Sequence, residues 1–146
     1  MEDRYLFKAK RIDNGEWVQG VPFEIEGKTV ILISDNENIL RVHYLEENMW
    51  EADIYAIEVN SSTICQSTGL KDKNGKIIWE NDIVRDENGN FYKAIWQNNH
   101  YQFSWICVKS DVFFIGVKWD LWSFKSFEIE VIGNIFDNKE LLESEG

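Results

Sequence analysis

The sequence predicts a mainly β fold, and three observations carry that prediction. Short segments rich in Val, Ile, Phe, Tyr and Trp recur along the chain, each ended by a turn signal. Asn-Gly pairs sit between such segments at Asn74-Gly75 and Asn88-Gly89, and Asp13-Asn14-Gly15 does the same near the start. These are the residues that reach the positive φ a tight hairpin needs. Finally, apolar and polar residues alternate over 101–105 and 128–131, the period of a sheet with one wetter face.

Taken in order, residues 5–10 read as a first strand and 17–23 as its return across the Asp13-Asn14-Gly15 turn. Glu26-Gly27 is the next turn, before "KTVILIS", whose Val and Ile residues favour a strand. Asp35-Asn36-Glu37-Asn38 closes it, and 39–45 reads as another strand. "LEENMWEADIYAIEV" mixes helical and strand periods, so it predicts an irregular acidic connection and then a strand over 54–59. Asn74-Gly75 and Asn88-Gly89 mark two hairpins in the second half, the latter between "DIVRD" and "FYKAIW". In "DNKELLESEG", Asp137 and Glu140 have capping-box spacing ahead of Leu141 and Leu142, which predicts one short C-terminal helix. The expected architecture is an N-terminal antiparallel sheet over 1–60 and a small barrel over 61–146 ending in that helix, folding as one cooperative unit.

Composition narrows the function. Seven Trp, five Tyr and nine Phe in 146 residues offer enough apolar surface to offset chain entropy, so the chain folds. A formal charge of -11 repels a phosphate backbone and removes the counterion release that drives non-specific nucleic-acid binding. It suits a basic partner, or an inhibitor whose carboxylates imitate phosphates. Cys65 and Cys107 lie far apart with no CxxC pair and no secretory signal, which predicts a reducing cytoplasm. The apolar runs, such as 29–33, are strand length, well short of the roughly 20 residues that span a bilayer, so no membrane association is expected.

No motif survives as a catalytic or metal site. Asp72, Asn74 and Gly75 resemble part of a calcium loop, but setting Gly75 at the loop glycine puts Leu70 at the first ligand position and Asn81 at the last, where Asp and Glu are needed. A metal on Asp72, Glu80 and Asp82 in some other geometry is the residual reading. Zinc spacing is absent among His43, Cys65, His100 and Cys107. A Cys65 nucleophile with His43 or His100 needs only spatial adjacency, whereas a buried strand Cys ordinarily acts as a small hydrophobe. There is no GxSxG, P-loop or GxGxxG. No catalytic residue, cofactor or metal is assigned. Trp96, Trp105, Trp119 and Trp122 are the candidate interaction aromatics: on a barrel face they would stack bases or peptide prolines, and otherwise they build core or subunit interface.

Three blocks, "RYLFKAKRIDNGEWVQG", "STICQSTGLKDKNGKIIWENDIV" and "IEVIGNIFDNKELL", resemble in order and spacing the signature blocks of the YopX family of phage and prophage proteins. The middle block is long and specific. Its corner-forming residues are Thr68, Gly69, Asp72, Asn74, Gly75, Glu80, Asn81 and Asp82, with Gly133 and Asn134 in the last block. Ser67 stands where the family usually has Tyr, and Asn81 where it has Gly; Asn is the non-glycine residue that best tolerates positive φ. The resemblance implies a C-terminal barrel similar to the SH3 type and a place in the bacterial cytoplasm, and it implies no reaction. Three function classes follow. The first is a non-enzymatic protein that binds itself, as a homo-oligomer, and an unidentified host or phage protein. The others are an acidic inhibitor or nucleic-acid mimic of a host enzyme, and a single-strand binder working through exposed aromatics.

Overall fold

A computed structural model describes residues 6–34, 42–47, 49–52, 54–125 and 128–143. The fold is mainly β and antiparallel, as the sequence predicts, and divides into two compact units, Leu6–Ile64 and the part from Cys65 onward. Among the described residues no helix is long and apolar enough to cross a membrane.

In the first unit β1 (Phe7–Lys10), β2 (Trp17–Ile25) and β3 (Lys28–Ser34) form a meander, followed by a small hairpin of β4 (Val42–Glu46) and β5 (Met49–Ala52), and β6 (Ile54–Glu58) returns to pair with β3. The β2–β3 turn works because Glu26 and Gly27 both adopt positive φ, 51° and 76°, the hand that matches strand twist. Ala9, Ile31 and Val59 are buried, with Val18, Ile33 and Ile64 packed on them. Asn60 caps a short 3-10 turn over Ser61–Thr63, and the Thr63 hydroxyl accepts the Lys10 amide at 2.8 Å, tying the end of this unit to its first strand. The predicted turn at 35–38 and the start of the strand expected over 39–45 lie outside the described residues. The acidic connection is a correction: part of it, Met49–Ala52, pairs with β4 as a strand. Its mixed period hid a hairpin partner that tertiary pairing supplies.

In the second unit β7 (Cys65–Lys71) pairs with β8 (Ile77–Trp79) across the Asn74-Gly75 turn. Then β9 (Asp82–Asp86), β10 (Phe91–Gln97), β11 (Gln102–Lys109) and β12 (Lys118–Asp120) run as a meander, and β13 (Ile129–Asn134) closes back on β9. Strand order is therefore β12-β11-β10-β9-β13. Ile78, Val84, Tyr92, Ala94, Trp105, Cys107 and Ile129 form the core, with Leu70, Trp119, Leu121, Phe124 and Val131 against it. The alternation expected from Tyr101 starts one residue too early. Tyr101 has φ 52° and is 82% exposed in the β10–β11 turn, and both Ser104 and Trp105 are buried.

The C-terminal helix is the second correction: the segment makes only a 3-10 turn over Lys139–Leu142, with no side-chain cap. The capping groups are used one step earlier. Asn134 Oδ1 accepts the Phe136 and Asp137 amides, Asn134 Nδ2 donates to Asp137 Oδ2, and Asn138 Oδ1 accepts the Asn134 amide. This Asx turn competes with helix initiation for the same side chains.

Candidate functional site

The residues of the middle block meet at a corner whose polar groups serve the backbone. Asp72 is buried, and its Oδ1 accepts the Asn74 and Lys76 amides, both at 2.9 Å, while Oδ2 accepts the Val131 amide at 2.9 Å. One carboxylate thus shapes the β7–β8 turn and pins it to β13. Gly75, at φ 78°, completes that turn. Thr68 Oγ1 donates to the Ile78 carbonyl and accepts the Leu70 amide, and Gly69, at φ 82°, lies within the register shift between Ser67 and Lys71.

Glu80, Asn81 and Asp82 form a second corner. Asp82 Oδ2 accepts the Trp79 amide, and Asn81 has φ 69°, the conformation expected of a residue standing in for Gly. Its backbone exchanges bonds with Ala94 and Ile135, so this turn sits between β10 and the end of β13. Half-burial pushes the Glu80 carboxyl up, against the Gln66 amide bond that favours its charged form. Gly133 faces Asn138, whose side-chain oxygen lies where a Cβ would stand. Asp72, Glu80 and Asp82 each turn to different backbone amides, which is the work of a scaffold.

The exposed apolar surface lies elsewhere. Between β11 and β12 the chain carries "SDVFFIGV", in which Val112, Phe114 and Ile115 are 76%, 86% and 64% exposed. After β12, in the 3-10 turn Leu121–Ser123, stands Trp122, 81% exposed and seven positions beyond Ile115. The loop is held from below. Ser110 Oγ donates to Asn90 Oδ1 at 2.6 Å and accepts the Val112 and Phe113 amides, while Gly116 and Val117 pair with the Cys107 backbone.

Beneath the loop is a cavity of about 390 Å³, walled by Tyr92, Val112, Phe113, Trp119 and Phe124, with Asp86, Asn88 and Asn90 at its polar end. Tyr92 meets Trp119 edge to face at 5.4 Å and Phe124 at 4.7 Å, and Phe113 meets Trp119 at 5.2 Å. Asp86 Oδ1 accepts the Asn88 and Asn90 amides, and its Oδ2 accepts from Asn90 Nδ2 and the Tyr92 hydroxyl, all at 2.9 Å. Burial pushes this carboxyl up, but the four bonds together outweigh it and hold the group below its ordinary value. Burial, then the bond to Asp86, pushes the Tyr92 phenol well up, so Tyr92 stays neutral.

The four candidate tryptophans separate by exposure. Trp105 is core, its indole donating to the Leu121 carbonyl at 3.2 Å; Trp119 is half-buried in the cavity wall; Trp96 is partly exposed and stacks edge to face on Phe103 at 5.0 Å; Trp122 stands free. The 112–115 run was missed by sequence reading because it matches neither sheet nor helix period. Its signal was that mismatch, four apolar residues after Ser110-Asp111 with no polar alternation.

Another cleft, on β10–β12, is lined by Gln97, His100, Gln102, Ser104, Lys118 and Asp120. Its Ser, His and Asp are residue types of a hydrolase, but Asp120 accepts from Gln102 at 2.9 Å and His100 pairs with Gln97 at 2.8 Å, so neither is spent on Ser104. Cys65 and Cys107 are both buried and outside any disulfide, and burial pushes Cys107 up, away from a reactive thiolate.

A family model described as YopX protein matches residues 6–143. Among solved structures, the crystal structure of protein EF1440 from Enterococcus faecalis is similar at a TM-score of 0.59 and 24% identity, covering 94% of this chain and 96% of that one. It shares the fold. Among curated proteins none matches.

Proposed function

The chain belongs to the YopX protein family, and from that premise we propose that it is a non-enzymatic binding protein of phage or prophage origin that grips a partner protein through the β11–β12 loop and Trp122. The observation that carries this reading is the exposure of Val112, Phe114 and Ile115 on a loop that Ser110 and Cys107 hold in place, with Trp122 exposed in the 3-10 turn that follows β12. Large apolar side chains held in water cost free energy in the unbound protein, and such patches mark sites that a partner covers. An aromatic anchor beside a formed cavity is the usual composition of an interface hot spot. The bacterial cytoplasm is its place of action, consistent with two buried cysteines outside any disulfide. The second unit is read as a small barrel of the SH3 type, which the meander, the 3-10 turn over Leu121–Ser123 and the return of β13 to β9 support.

Photo-crosslinking tests the reading. With p-benzoylphenylalanine in place of Phe114, irradiation of bacteria carrying the gene is expected to give one dominant crosslinked product, absent when the same group replaces exposed Glu140. Equal patterns at the two positions would overturn it. The mass of the product separates a second copy of this 17.3 kDa chain from another protein.

A second reading, self-association, has its own observation. Val21, Phe23 and Ile25 alternate along β2, share one face of the first unit's sheet and are all exposed. A two-fold contact would place this stripe against its copy.

A further inference from the structure

We propose that the cavity under the β11–β12 loop receives an arginine side chain of the partner protein, so that recognition combines an apolar grip by the loop with capture of one cation. This rests on the binding reading above and names the chemistry of the partner. Three features of the cavity select a cation. Its walls carry the rings of Phe113, Trp119 and Phe124, packed around the buried Tyr92. A π face attracts cations through its quadrupole. Its polar end is a half-buried carboxylate, Asp86, and among the described residues no Lys or Arg lies within ion-pair distance of it. Neighbouring Arg85 is engaged instead by Glu130 at 3.0 Å.

The four bonds to Asp86 come from its own hairpin and fill its lone-pair positions. The carboxylate therefore acts on a guest mainly through its charge. A neutral apolar guest would bury that charge further with no opposite charge beside it. An anion would meet it as a like charge, on a chain whose net charge is already -11. Arginine suits the site better than lysine because a guanidinium is planar, stacks on aromatic rings and sheds water more easily than an ammonium. The cavity is also preformed. Ser110 links Asn90, which holds Asp86, to the amides of Val112 and Phe113, so the floor and the loop are one hydrogen-bonded assembly. Exposed Val112 in the cavity wall, and exposed Phe114 two residues further along the loop, then favour apolar residues beside the guest arginine.

The test uses the full chain labelled with nitrogen-15 and two probes, the capped tripeptide Phe-Arg-Phe and its citrulline counterpart, which keeps the shape and removes the charge. The arginine peptide is expected to shift the Trp119 indole N–H and the Asn90 side-chain amide saturably, binding about tenfold more tightly than the citrulline peptide. Raising salt from about 0.05 to 0.5 M is expected to weaken the arginine peptide alone. Asp86→Asn, with a dispersed spectrum as the check on folding, is expected to bring the two peptides to within about twofold of each other, and Phe113→Ala to weaken the arginine peptide. Equal binding of the two peptides, or no shift at Trp119 at millimolar peptide, overturns the proposal, and the salt arm decides the matter without any variant. A crosslink at position 114 without arginine preference would keep the binding reading and remove the cation pocket. Arginine preference without a crosslink would do the reverse.

Discussion

Asp72 shows how much one side chain can organise when it is buried and aimed at the backbone. Its two oxygens take three amides, two in the β7–β8 turn and one from Val131 on a strand 59 residues later in sequence. Removing it leaves buried N–H groups with no acceptor, and each such orphan costs about 1–3 kcal/mol. Asp72→Ala is therefore expected to destabilise the protein by roughly 3 kcal/mol or more in urea unfolding, and Asp72→Asn, which keeps one oxygen, by clearly less. Equal losses for the two variants would mean that the side chain acts by packing. Asn81 is the complementary case, where backbone conformation decides. At φ 69° a Cβ-bearing residue is strained, so Asn81→Ala is expected to cost about 1–2 kcal/mol, while Asn81→Gly stays within about 0.5 kcal/mol of the parent.

Among the elements, hairpins were the legible part of the sequence. Asn74-Gly75 and Asn88-Gly89 lie in the β7–β8 and β9–β10 turns, because positive φ is a local demand that few residues meet. The β4–β5 hairpin and the missing helix were not legible. In the first, pairing with the adjacent strand overrode the segment's own preference, and in the second Asx bonding inside the turn did. The candidate site was less legible still: Trp122 and Trp119 were singled out, but Phe113 and Asp86 come together only because β9, β10 and the β11–β12 loop converge. Titration follows from the same elements. Glu80, at the β8–β9 turn, has its pKa raised above 4.5 by burial, so the favourable neutral form is lost as pH rises through the raised value. Glu80→Gln is thus expected to raise the melting temperature at pH 7, with the gain vanishing below about pH 4. Asp86 runs the other way. Its lowered pKa gives stability that is present above 3.8 and is lost as pH falls through the native value. An Asp86→Asn variant whose deficit at pH 7 persisted unchanged in acid would show that charge contributes nothing to the β9–β10 hairpin.

For the whole molecule, two features of opposite tendency coexist: a net charge of -11, which opposes contact between copies, and exposed apolar side chains, whose burial would favour it. Their balance sets whether the chain associates with itself. The β2 stripe of Val21, Phe23 and Ile25 has the strand period and lies on a sheet, so it offers a flat face to an identical face. The long-range repulsion between two acidic copies is screened by salt, whereas apolar burial is not weakened by it. Self-association through β2 is therefore expected to strengthen as salt rises from about 0.05 to 0.5 M, the opposite of the response expected for arginine capture at Asp86. Sedimentation equilibrium at both salt levels measures it. Phe23→Lys is expected to shift the population to monomer while leaving stability within about 0.5 kcal/mol, since the side chain is 56% exposed in the single chain. A clean monomer at about 100 μM in high salt would remove the β2 interface. It would leave the β11–β12 loop as the remaining surface proposed for contact.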